Sequence, residues 1–201
     1  MKKKMFILIS FIFCLSLMLP ISIQAAQKKE SVIYSDFLQE NPSYTWFRTL
    51  DINKDGVKEL IVSKKQLEFS ANVYYVYTIK KNEIVYVGKV SHSRAFKDGK
   101  SKVIFYNSKL KAIREALTSP RGFGLNLYKI SGSTLKETVR MNRSLGRFPV
   151  YSIGKNNKDK YYTTASDIKK FDKLVDRYFY KGCKKYVLYK NTSSNRAKYL
   201  K

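Results

Sequence analysis

Three oxygen-bearing side chains alternate in one short run. They are Asp51, Asn53 and Asp55 in Leu50-Asp51-Ile52-Asn53-Lys54-Asp55-Gly56-Val57-Lys58-Glu59-Leu60. A tightly curled loop can aim all three inward. Gly56 allows the sharp backbone turn that follows them. The carbonyl of Val57 can then face the same centre, and Glu59 can reach it directly or through water. That assembles about six oxygen ligands, with carboxylates among them, a hard set suited to Ca²⁺. Mg²⁺ suits it less, because it demands near-octahedral geometry and keeps its waters. The expected role is structural: the ion cancels crowded carboxylates and pins the loop. The expected ligands are Asp51, Asn53, Asp55, Val57 and Glu59. A rival reading needs no metal, only an Asx-rich turn whose Asp and Asn side chains accept backbone amides.

The first half, D-x-N-x-D-G, resembles an EF-hand loop. The second half departs from it. An EF-hand loop closes on a bidentate Glu, and that position here is Val62. The flanks read as strands, Tyr44–Leu50 before and Leu60-Ile61-Val62 after. With the spacing D-x-N-x-D-G-x-x-E-L-I-V, the segment instead resembles the calcium loop between two strands in FG-GAP and VCBS-type repeats. That resemblance implies Ca²⁺ held in a β-hairpin loop by the same five residues. Lys54 stands where those loops usually carry Gly, and Lys58 adds positive charge. Both lower affinity electrostatically and are expected to point outward. More widely, the chain is similar to uncharacterised exported proteins of clostridia-like Gram-positive bacteria. Those combine a signal peptide, a D-x-[DN]-x-D-G-x-x-E-L hairpin, Y-x-Y strands and a polar C-terminal helix. No activity comes with that resemblance.

Catalytic constellations are weak. His92, the only histidine, lies in Val90-Ser91-His92-Ser93-Arg94 and reads as a surface loop residue. It could serve as a general base, or with Cys183 form a thiol hydrolase, but no sequence context supports either. There is no G-x-S-x-G elbow, Gly-rich phosphate loop, H-E-x-x-H or C-x-x-C. A loop that saturates its ion with protein oxygens leaves no open position for metal catalysis.

The chain that must position these residues has 201 of them, 14% aromatic, with 16 Tyr and 12 Phe. That length suits about one domain, and that aromatic content argues against disorder. With 9 Gly and 4 Pro it is neither collagen-like nor low-complexity. Two Cys exclude a disulfide scaffold. Residues 1–26 read as a secretory signal peptide: Lys2-Lys3-Lys4, an apolar run from Met5 to Leu19, Pro20, then Ala25-Ala26. The rival is an uncleaved membrane anchor. Residues 27–201 are then one α+β domain carrying the loop at 51–59. Cys183 stands alone in it and reads as a partly buried small hydrophobe after a helix.

Hydrophobic periodicity predicts a short amphipathic helix over Glu30–Glu40, stopped by Asn41-Pro42. Short Tyr/Val/Ile-rich runs follow, the all-β signature: Tyr44–Asp51, Glu59–Ser63, Asn72–Ile79, Ile84–Val90, Ser101–Asn107, Leu110–Arg114, Gly122–Ile130 and Leu135–Met141. Phe148–Ile153 and Tyr161–Thr164 read as two more. Val76-Tyr77-Thr78-Ile79 matches Leu127-Tyr128-Lys129-Ile130 at an offset of 51 (127 minus 76). The same offset lays the hairpin near Ile52–Val62 over the one near Val103–Ile113. Two blade-like antiparallel units in a meander or sandwich follow. An apolar stripe then predicts a packed helix near 167–181, N-capped by Ser166 and stopped by Gly182. Residues 191–201 carry one more short helix.

The formal net charge is +25, or +22 once Lys2, Lys3 and Lys4 are removed. Residues 155–201 hold 14 Lys+Arg against 4 Asp+Glu. Such a surface attracts polyanions. The expected partners are teichoic acid or an anionic membrane surface, with nucleic acid also open though no motif supports it. The expected function is a non-enzymatic, secreted or cell-envelope-associated, calcium-binding interaction module. The alternative is a secreted enzyme acting on an envelope polymer or nucleic acid.

Overall fold

The computed structural model describes residues 30–65, 71–93, 102–119, 122–144, 150–155 and 158–201. The expected signal peptide lies outside these residues, as do Phe148 and Asn156-Asn157. Among the described residues no helix is long and apolar enough to cross a membrane.

The chain begins with helix α1, residues 30–40. It buries Tyr34 and Leu38, one helical turn apart. Asn41 ends it by placing both its backbone N–H and its Nδ2 on the carbonyl of Phe37, at 3.0 and 2.9 Å. Four antiparallel strands follow: β1 Tyr44–Leu50, β2 Glu59–Lys64, β3 Asn72–Lys80 and β4 Glu83–His92. Strand β3 shows why they form. Asn72, Tyr74, Val76 and Thr78 are buried while their neighbours are half-exposed, the period-two pattern of a strand with one face inward. A second four-stranded run is β5 Val103–Asn107, β6 Ala112–Ser119, β7 Gly122–Ser131 and β8 Thr134–Ser144. Strands β9 Tyr151–Lys155 and β10 Lys158–Tyr162 extend it. One parallel bridge, His92 to Ala116, joins the two runs into a mainly antiparallel sheet.

The faint repeat is visible in the strand registers. Val76 opposes Gly88, and Leu127 opposes Val139. A register shift falls between Val76 and Tyr77 in the first hairpin, and between Leu127 and Tyr128 in the second. Both comparisons carry the offset of 51 (127 minus 76, 139 minus 88). The preceding hairpins do not keep it. Leu60 opposes Tyr77 and Ile113 opposes Tyr128, so β2 maps to β6 with an offset of 53 (113 minus 60). Leu50 closes on Glu59, but Asn107 closes on Ala112. Eight residues, 51–58, therefore bridge β1 and β2, where four, 108–111, bridge β5 and β6. That loop difference moves the β1-to-β5 offset on to 57 (107 minus 50), and Ala112 occupies the register position of Glu59.

Helix α2, Ala165–Val175, runs on into a π-helical turn, Asp176–Tyr180. Thr164, not Ser166, is its N-cap. Thr164 is extended (φ −90°, ψ 158°) and its hydroxyl accepts the N–H of Asp167 at 3.2 Å while donating to Asp167 Oδ2 at 2.8 Å. A reciprocal pair three residues apart outcompetes a single serine. Phe171, Val175 and Phe179 pack on Leu125, Leu127 and Met141 of the second run. Each such side chain contributes roughly 1.5–3 kcal/mol on burial.

Two short strands were not expected. β11, Lys184–Val187, pairs with β5, and β12, Tyr189–Lys190, pairs with β1. Between them Leu188 is 1% exposed, inside a core with Ile52, Ile61, Val76, Ile104 and Ile113 from both runs. Arg48 Nη1 donates to the carbonyl of Val187 at 2.7 Å, and its guanidinium lies 4.8 Å from the Tyr186 ring centroid. One C-terminal strap thus covers the open edges of both runs. The last helix, α3, is Ser193–Tyr199, N-capped by Thr192.

Candidate metal centre

The loop of residues 51–58 joins two paired antiparallel strands, not two helices. Lys54 and Gly56 take left-handed backbone, φ +65° and +94°. Gly56 does so freely, whereas Lys54 is strained there. The curl is held by the loop's own side chains. Asn53 Oδ1 accepts the N–H of Asp55 at 3.1 Å, and Asp55 Oδ1 accepts the N–H of Val57 at 2.9 Å. Asp51 Oδ2 accepts the N–H of Gly56 at 3.3 Å. Asn53 Nδ2 donates to Asp55 Oδ2 at 2.7 Å. These bonds are those of the Asx-rich turn.

Glu59 goes further than a turn requires. It opens β2 and is fully buried. Its Oε2 accepts the N–H of Ile52 at 2.7 Å. Its Oε1 is buried with no partner, and so is Oδ1 of Asp51. Leaving two carboxylate oxygens dry and unbonded is costly, of the order of 1–3 kcal/mol each or more. The Glu59 carboxyl is accordingly pushed up from 4.5 to about 7. Burial is the main cause; the hydrogen bond from Ile52 opposes it, and the charges of Asp55 and Asp51 reinforce it.

The surroundings hold the loop firmly. Tyr106 donates to the carbonyl of Ile52 at 2.9 Å, and Tyr34 of α1 donates to the carbonyl of Lys58 at 2.7 Å. Lys58 Nζ reaches away from the loop to the carbonyl of Lys201 at 3.0 Å. Lys54 Nζ sits 6.0 Å from the Tyr106 ring centroid. A fourth carboxyl, Glu30, lies beside Lys58, and its pKa is raised by burial, with the charges of Asp55 and Asp51 adding to the rise. Nothing in the sequence marked Glu30, because its proximity comes from how α1 docks.

Asp51, Asn53, Asp55 and Val57 thus share one hydrogen-bonded curl, and Ile52 ties Glu59 to it. Among the described residues there is no group of three or more His, Cys, Asp or Glu placed to hold an ion. A Ca²⁺ set of this kind also draws on Asn and carbonyl oxygens. The two unpartnered carboxylate oxygens are what fits a cation here.

His92 is not a surface loop residue. It ends β4 at 2% exposure, and Arg114 Nη2 lies 3.3 Å from its Nε2. Arg114 also donates to the carbonyl of Phe179 at 2.8 Å and lies 3.6 Å from the Phe105 ring centroid. His92 therefore belongs to a packed knot where the two strand runs meet. Cys183 follows the π-turn, as expected, and its thiol donates to the carbonyl of Tyr178 at 3.4 Å. Burial pushes that thiol up to about 11, away from a nucleophilic thiolate.

No family model matches the chain, and neither a curated protein nor a solved structure matches it.

Proposed function

We propose that the protein is a non-enzymatic, secreted or envelope-associated interaction module whose first hairpin is stabilised by Ca²⁺. The observation that carries the metal is the pair of buried carboxylate oxygens without partners, Oε1 of Glu59 and Oδ1 of Asp51. In this reading Asp51, Asn53, Asp55, the carbonyl of Val57 and Glu59 hold the ion, in the manner of the loops in FG-GAP and VCBS-type repeats. The ion would supply charge neutralisation and no reaction step. It would lock two strand ends against α1 and the chain terminus through Tyr34, Lys58 and Lys201. The blade-like reading of the two strand runs belongs to the same proposal and draws on their matched registers.

Partner choice follows charge. A chain of net charge +25, or +22 without Lys2, Lys3 and Lys4, concentrates anionic polymers by long-range steering, and an exported protein meets these at the envelope. The test is a calcium titration by isothermal calorimetry, with retention on anionic polymer followed against salt. One site per chain, lost in Asp51→Asn, supports the metal, and salt-sensitive retention without turnover of the polymer supports the module. No binding heat, or turnover of the polymer, overturns it.

A further inference from the structure

The two strand runs end their first hairpins in different charge patterns. Where the first run has the loop 51–58, with two Asp balanced by two Lys, the second has the turn 108–111, Ser-Lys-Leu-Lys, with two Lys and no carboxylate. That turn lines an open groove of about 630 Å³ against the π-turn. Five cations face it, Lys109, Lys173, Arg177, Lys181 and Lys184, with one carboxylate, Asp176. Lys181 already neutralises Asp176 at 2.6 Å. Among the described residues, none of the other four cations makes an ion pair.

The floor of this groove is built rather than incidental. Asn107 Nδ2 donates to the carbonyl of Tyr178 at 3.0 Å, and its Oδ1 accepts the N–H of Leu110 at 3.0 Å. One side chain therefore staples the turn to the helix. Gly182 allows the close approach: a Cβ there would lie 2.5 Å from both the carbonyl oxygen of Arg177 and Nδ2 of Asn107. A second groove, of about 590 Å³ along β7 and β8, offers a contrast. Its Arg140 pairs with Glu137 and Asp159, each at 3.7 Å, and its Arg143 lies 5.2 Å from the Tyr151 ring centroid. Those cations are committed; in the first groove Lys109, Lys173 and Lys184 have neither an ion pair nor a ring contact among the described residues.

We propose that the groove between the 108–111 turn and the π-turn binds a phosphodiester chain that carries no bases. This rests on the reading of the protein as a polyanion-binding module, and not on its calcium. Lysines are point-charge phosphate binders on flexible stems. The ring lining the groove, Tyr178, is half-buried in the core, with the Arg177 guanidinium 5.9 Å from its centroid. It leaves little open face for base stacking, which single-stranded nucleic acid would use.

The test uses labelled poly(glycerol phosphate) and fluorescence anisotropy with the full chain in EDTA, over a salt series. Lys109→Gln/Lys184→Gln should weaken binding about tenfold and reduce the slope of log affinity against log salt by about 1.4, two contacts' worth. Lys81→Gln/Lys136→Gln removes the same charge elsewhere and should leave binding near wild type. Equal loss in both pairs would overturn the groove and leave only general charge. A single-stranded oligonucleotide of equal charge that binds more tightly would overturn the choice of a base-free chain. A wild type that retains no polyanion at all would sink the module reading itself.

Discussion

Ile52 and Glu59 close the 51–58 loop from opposite ends: the N–H of Ile52 donates to Glu59 Oε2 at 2.7 Å, and both residues are fully buried. The bond uses one oxygen of a carboxylate that has no second partner. Without an ion, the protonated acid is the cheaper occupant of that position.

Glu59 therefore makes the metal-free protein sensitive to pH. Its carboxyl ionises near 4.5 when unfolded and near 7 when folded. The stability it contributes is fully present below pH 4.5 and is lost as pH rises to about 7. The shift is worth about 3 kcal/mol. In EDTA, the wild type should lose that much stability relative to Glu59→Gln between pH 4.5 and 8, by urea unfolding. Parallel pH profiles for the two proteins would remove Glu59 as the cause.

Leu188 should prove the anchor of the C-terminal strap. It sits between β11 and β12 in the core shared by both strand runs, and its N–H donates to the carbonyl of Lys102 at 2.9 Å. Leu188→Ala should cost about 2–5 kcal/mol. Val187→Ala, at a site 53% exposed, should cost little. The comparison by chemical denaturation fails the strap if the two variants behave alike.

Arg114 joins the same runs by polar contacts. Its loss in Arg114→Leu leaves the carbonyl of Phe179 without that donor and His92 without its neighbour. About 1–3 kcal/mol should be lost for the stranded carbonyl. Hydrogen exchange should show the π-turn opening first. A variant as stable as wild type, with unchanged exchange there, would assign the knot no structural role.

Much of this was legible in the residue pattern, and the exceptions share a cause. The alternating strands and the stripe Phe171, Leu174, Val175, Tyr178 follow from local periodicity, which survives in any tertiary setting. The strap does not: Lys184-Lys185-Tyr186-Val187 is too polar to read as a strand, because it pairs along an edge and stays largely exposed. His92 misled for the opposite reason. It sits among Ser and Arg, yet the parallel bridge to Ala116 buries it. The repeat offset held for the second hairpin of each run and failed for the first, because Leu60 lies two residues further from its partner Tyr77 than Ile113 does from Tyr128 (17 against 15), and the first loop is four residues longer (eight minus four). In the loop, residue types and spacing named the carboxylates, but the burial of Glu59 beside Ile52 and the approach of Glu30 come from tertiary packing.

The central claim is the ion, and thermal unfolding in EDTA and in millimolar Ca²⁺ tests it most directly. At a free concentration 100 times Kd, an ion bound only to the native state adds about 2.7 kcal/mol, a rise of several degrees in Tm. The account predicts that rise in the wild type and its disappearance in Asp55→Ala and Glu59→Gln. A wild-type Tm that ignores Ca²⁺ would contradict it and return residues 51–59 to a polar turn held by its own Asp and Asn side chains.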